Sequence, residues 1–187
     1  MSDIKVIRKA SIEVAKLHVR WIPVVTPLNI WNNDMSLPNS PHVELMELFK
    51  EYGFDWDRIK MTRYFAERKH RFEIGMHRWT KAYIKAHCMK RYKIFKSMAK
   101  GFNKEKCKGD PIKVLRFPFW ATRFQQYPGN VMSSHVMEIW NGAGRSSAAH
   151  VLGIKKLPCV ICEDAKPGSG DKGKFRKKLK SIKGVWE

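Results

Sequence analysis

Acidic residues are scarce in this 187-residue chain: 17 Asp and Glu stand against 37 Lys and Arg, for a formal net charge of +20. So large a surplus repels itself unless a polyanion neutralises it, and nucleic acid is the commonest cellular polyanion. Long apolar runs are absent as well. No uninterrupted stretch approaches the ~18 residues of a membrane span, so no membrane partner is expected. Cysteine is equally sparse. Cys88, Cys107, Cys159 and Cys162 are too few and too unevenly spaced for a disulfide framework. They read as reduced thiols. The opening MSDIKVIRKASIEVAKLHV has no apolar core followed by small residues, so a signal peptide is not expected and a cytoplasmic location is. What the chain does have is 43% hydrophobic and 12% aromatic residues. That is too apolar for a disordered polyelectrolyte, and the length suits one domain.

Trp21 to Leu28 is apolar and β-branched but broken by Pro23 and Pro27, which suits an edge strand running into an Asn-rich loop. Ser40 and Pro41 then open a periodic run, and Gly53 closes it, predicting a helix over 41–52. Residues 58–108 hold 17 Lys and Arg against three acids, Glu67, Glu73 and Glu105. Aromatics recur there at helical spacing, so two amphipathic helices with basic outer faces are expected, followed by a polar loop over 103–111. Lys85, Lys90, Arg91, Lys93, Lys96 and Lys100 are the candidate DNA contacts, joined by Arg176, Lys177 and Lys178 in a basic tail from about 166. Short strands are predicted over 112–120, over 136–140 and in LPCVICED, with a helix from about Ser146 to Leu152. Cys159 and Cys162 fall three apart on a strand and so point to opposite faces, which disfavours a redox or zinc pair, and no metal site is expected. GSGDKGK, residues 168–174, has Walker A spacing but lacks the following Ser or Thr and reads as a basic loop.

The stretch Glu138 to Ile161 is the most informative. A strand runs into a glycine-flanked turn, an arginine opens a helix, and an apolar strand returns. Such a turn aims backbone N–H groups and the positive helix end at one point, where an anion can sit. Gly142 and Gly144 permit close approach, Arg145 can fork onto phosphate oxygens, and Ser146 and Ser147 offer hydroxyls. A purely structural turn satisfies the same spacing.

Gly142, Arg145, Ala148, Ala149, Leu152, Gly153 and Pro158 resemble the second motif of the ParB/sulfiredoxin superfamily, GxxRxxAAxxLG followed by a strand beginning near a proline. WIPVVTPLNIWNND and HVELMELFKEYGF are similar to its first block. The two blocks cover about 75 of the 187 residues. The resemblance implies an α/β (α+β) fold with a mixed sheet, into which a basic helical module over about 58–110 is inserted. It implies that Gly142, Ala143, Gly144, Arg145, Ser146 and Ser147 hold the phosphates of ATP or CTP, with Asn29 and Asn32 in the facing loop. Superfamily members include CTP-binding partition clamps, ATP-using sulfiredoxins, a free-serine kinase and ParB-like nucleases. The sulfiredoxin cysteine between the Gly and Arg is replaced here by Ala143 and Gly144, so peroxiredoxin repair is not expected. A partition protein would carry further domains after the motif, where 34 residues follow Gly153.

Magnesium positioning or activation of a hydroxyl needs a carboxylate near the triphosphate. Asp34, in the loop of the first block, is the first candidate, then Glu44 and Glu138, with Arg145 as the phosphate-stabilising partner. Glu44 serves equally well as a favourable charge at a helix N-terminus. The resulting expectation is a DNA-acting, nucleotide-dependent phosphotransferase or hydrolase, of a compactness that suits phage DNA modification. A ParB-like nuclease and a non-catalytic DNA-binding module are the alternatives.

Overall fold

The computed structural model describes residues 5–19, 36–73, 75, 79–115 and 137–163. Two apolar cores organise them, one under a mixed sheet and one among helices. This is an α+β fold. The sheet has five strands: β1 (Lys5–Glu13), β2 (Leu17–Val19), β3 (Ile112–Leu115), β4 (Met137–Asn141) and β5 (Lys156–Glu163). Their order is β1-β5-β3-β4-β2. β1 pairs antiparallel with β5, β5 parallel with β3, β3 antiparallel with β4, and β4 parallel with β2.

Interior strand β5 has no inward–outward alternation, because Leu157 to Ile161 is buried throughout, as a strand covered on both faces requires. Pro158 sits in this strand without breaking the ladder. It opposes Ser11 of β1, and the parallel pairing with β3 begins one residue later, at Cys159.

Six α-helices are described besides a 3-10 turn at Val14–Lys16: α1 (Pro41–Tyr52), α2 (Trp56–Lys60), α3 (Arg63–Glu73), α4 (Lys81–Ala99), α5 (Lys104–Gly109) and α6 (Ala143–Val151). α1 starts and stops where predicted, with Pro41 in its first turn and Gly53 left-handed at φ 69°. Ser40 does not cap through its side chain. Its Oγ donates to the Leu37 carbonyl at 2.7 Å instead.

Between Asp55 and Gly109 the chain is helical almost throughout, and its starts are written by side chains. Asp55 accepts from the Asp57 and Arg58 amides, Thr80 from Tyr83, and Asn103 from Lys106 at 2.8 Å. The loop expected over 103–111 is therefore corrected to helix α5 over most of its length, since Asn103 is a cap and Cys107 buries the inner face.

α6 lies between the two cores. Ala148 is buried in the helical one and its neighbour Ala149 in the sheet one. Small side chains on both sides let it lie close to each.

Of the other expected elements, the strand over 112–120 is described only to Leu115, and 21–28 and 166–187 lie outside the described residues. Among the described residues no helix is long and apolar enough to cross a membrane.

Candidate anion cleft at the start of α6

β4 ends at Asn141, and Gly142 turns the chain into α6 with φ 110° and ψ 10°. Only glycine holds that conformation without strain. A methyl group there would also stand 2.5 Å from Ile112 Cδ1. The helix starts three residues earlier than expected, so Ala143, Gly144 and Arg145 form its first turn. Their amides head the helix, where N–H groups have no intrahelical partner. The first turn contains no acid, leaving the positive helix end uncompensated from within.

Arg145 projects toward α5. Its Nη1 donates to the Asp110 carbonyl, and its Nη2 lies 3.5 Å from Asp110 Oδ2. Beside this pair opens a cleft of about 410 Å³ between α4 and α5. Among the described residues, Lys90 and Lys93 from α4, Lys106 from α5 and Arg145 from α6 supply its cations, and Asp110 supplies the one acid lining it. Ile94, Met98, Phe102 and Cys107 make the apolar part of the wall. Burial pushes the Cys107 thiol up, with Arg145 pulling the other way. Cys159, behind it in the sheet core, is pushed up to about 12, first by burial and then by Cys107. Both therefore stand as thiols at neutral pH.

The structure separates the predicted phosphate ligands. Gly142, Ala143, Gly144 and Arg145 share one turn. Ser147 does not offer its hydroxyl outward: the group is back-bonded to the Ala143 carbonyl at 2.8 Å. Ser146 Oγ is fully buried and finds no hydrogen-bond partner among the described residues. The expectation of two exposed hydroxyl donors is corrected on both counts, because a helix that begins at Ala143 carries residues 146 and 147 into its packed side.

Glu44 is committed elsewhere. Its Oε1 accepts the Arg63 amide at 3.0 Å and its Oε2 the Arg63 Nε at 2.6 Å, so it caps α3. Glu138 is a β4 residue in register with His18 and Leu115. Asn29, Asn32 and Asp34, like Arg176, Lys177 and Lys178, lie outside the described residues.

Of the predicted DNA contacts, Lys85, Lys90, Lys93, Lys96 and Lys100 are exposed along α4. Lys85 rides over the Trp56 ring and Lys96 over Tyr92, at 5.5 and 5.6 Å from the centroids. Arg91 points the other way. Its Nη1 would stand 2.9 Å from a Cβ at Gly144, its Nε donates to His87 Nε2 at 3.1 Å, and its guanidinium lies 5.3 Å over the Tyr64 ring. Arg91 joins a buried cationic cluster with Arg68 and Arg71, whose shared carboxylate is the fully buried Glu67. Arg68 stacks between Tyr64 and Trp79, at 4.9 and 4.4 Å, and its Nη2 lies 3.4 Å from His42 Nε2. An arginine can only donate, so the ring nitrogens that Arg68 and Arg91 meet on His42 and His87 are the acceptors. Burial first, then Arg91, Arg68, Arg71 and His87, hold His42 well below its ordinary value.

Asp110 is the cleft residue that sequence reasoning missed. Its signal was weak: it falls inside the stretch expected to be a polar loop, and only the 35-residue return to Arg145 gives it meaning. Among the described residues no group of three or more His, Cys, Asp or Glu gathers to hold a metal ion. Comparison with protein-family models, curated proteins and solved structures returns no match.

Proposed function

We propose that this protein acts on DNA and that the first turn of α6 holds a phosphate group of a nucleoside triphosphate, ATP or CTP, for transfer or hydrolysis. The observation that carries this reading is the meeting of three elements at one point: an acid-free helix start, Arg145, and the lysines of α4 and α5 around the adjoining cleft. Phosphate chemistry is mostly positioning and charge stabilisation, which is what amides and guanidinium groups supply. The resemblance to the ParB/sulfiredoxin superfamily adds the nucleotide and the phosphoryl step, in the cytoplasm, or the host cytoplasm for a phage protein.

The described residues fit a phosphate better than they fit its usual magnesium ion. Asp110, half-exposed beside Arg145, is the one carboxylate lining the cleft, and Glu44 is spent on α3. In the nucleotide-bound state Arg145 leaves Asp110 for phosphate oxygens. The released carboxylate then accepts a proton from the attacking hydroxyl. Bound Mg²⁺ would neutralise charge on the phosphates, and the described residues lining the cleft offer it no carboxylate besides Asp110. The engagement of both Glu44 and Asp110 with arginines favours a second reading, a DNA-binding module without chemistry.

The two separate in one assay: pure protein with Mg²⁺, γ-labelled ATP or CTP, and plain or base-modified DNA. Label on DNA or free phosphate, lost in Arg145→Ala, is the expected result; label nowhere, with DNA still bound, selects the second reading, and strand cuts without nucleotide select a nuclease. DNA binding itself should fall by about 10³–10⁵ between ~50 and ~200 mM salt for six to ten phosphate contacts. The surface variants for this are Lys90→Glu, Lys93→Glu and Lys106→Glu. Arg91 is unsuitable, since reversal would bury a carboxylate against the α6 turn.

A further inference from the structure

We infer that the cleft between α4 and α5 receives a single unpaired nucleotide of a nucleic-acid strand, base inward and phosphate at the rim. The inference rests on the DNA-acting reading above and goes beyond it by naming the form of the substrate.

The wall chemistry narrows the occupant. A duplex backbone alone would be satisfied by Lys90, Lys93, Lys106 and Arg145 on an open surface, and has no use for the apolar wall of Ile94, Met98 and Phe102. A neutral apolar molecule would use that wall but has no use for four cations. A nucleotide uses both: a flat base with an apolar face and a polar edge, carried on a phosphate. At about 410 Å³ the cleft falls near the lower end of ligand sites, roughly 300–1,000 Å³. It is too small for a duplex, whose major groove alone is about 12 Å wide. A paired base would therefore have to leave its stack, at a cost of a few kcal/mol that an unpaired or damaged base does not incur. Lys96 and Lys100, further along the exposed side of α4, continue the positive path for the flanking strand. The cleft shares Arg145 with the α6 turn. A nucleotide seated there brings its sugar and phosphate to the place where the phosphoryl group is held.

The test uses the full-length protein and three labelled DNA duplexes of one length, followed by fluorescence anisotropy at a fixed low salt concentration. The first duplex is fully paired, the second has one unpaired nucleotide as a bulge, and the third has the same bulge without its base. Expected is a preference of roughly ten-fold or more for the bulge with its base, the scale of one base stacking on protein. The abasic bulge should bind like the paired duplex. Ser97→Trp, at an exposed α4 position that lines the cleft, should fill it and bring the bulge-to-duplex ratio to one.

Equal binding of all three DNAs, or of the two bulges, overturns the inference and leaves the DNA-acting reading standing. So does a Ser97→Trp variant that melts like the wild type and keeps the preference. Failure of every DNA to bind overturns both. The abasic comparison needs no variant and decides the matter even where Ser97→Trp does not fold.

Discussion

The sheet side and the helical side of the protein are filled with different materials. Under the sheet, Val14, Leu17, Ile112, Val114, Ile139 and Leu157 are aliphatic and sealed. Among the helices, Phe49 and Phe95 share a core with Tyr64 and Trp79, and Arg68, stacked over those last two rings, shares the fully buried Glu67 carboxylate with Arg71. An aliphatic core loses stability by the volume removed, whereas a core with buried charge loses it when one partner leaves the other alone. The helical side therefore depends on a few exact pairings, and the sheet side on many interchangeable contacts.

Four substitutions sharpen that contrast, taken from the largest expected effect. Glu67→Gln keeps shape but leaves Arg68 and Arg71 buried without a counter-charge, and should cost about 3–5 kcal/mol in urea unfolding. A loss under about 1 kcal/mol would mean that stacking on Tyr64 and Trp79, not Glu67, holds the arginines. On the sheet side, Gly142→Ala should cost about 2–4 kcal/mol, combining a disfavoured left-handed backbone with the overlap on Ile112. Adding Ile112→Val removes the overlapping Cδ1 and should restore part of it; no restoration would assign the whole loss to the backbone.

The smallest effect is in pH. His42 is neutral when folded, held below its ordinary 6.5 by burial first and by the surrounding arginines second. As pH falls below about 6.5 the unfolded chain takes up a proton that the folded one refuses. Stability should then decline by up to about 1.4 kcal/mol per pH unit from this group. His42→Gln should remove that share of the slope between pH 6.5 and 5 in denaturant titrations. An unchanged slope would move the proton uptake to other groups.

Local chemistry was legible in the sequence where one residue acts on its own neighbours. Pro41 and Gly53 bounded α1, and Gly142 marked the turn before α6. Asn103 was equally legible as a cap but was read as loop, because the six-residue helix behind it is mostly charged and shows its apolar face only at Cys107. Arg91 carried a usable signal too. It stands three residues after Cys88, seven after Ile84 and four before Phe95, all buried, so helical periodicity alone turns it inward. Composition argued the opposite, and composition has no direction. The pairing of Glu44 with Arg63, of Asp110 with Arg145 and of Arg91 with Gly144 joins residues far apart in sequence. No local pattern encodes which distant partner a charge will meet.

The pairing of β1 with β5 joins Lys5 to Glu163 and Glu13 to Lys156, so the first described strand waits for the last. During synthesis at about 5–20 residues per second, that wait is on the order of 10 s. The helices between them close on near neighbours and need no such delay. β1 therefore spends the interval on the ribosome as a bare strand, open to pairing with another chain. Lys9 and Glu13 are its safeguard, since charged side chains are how exposed strands discourage strangers. The charges on β1 thus guard it while the chain is being made.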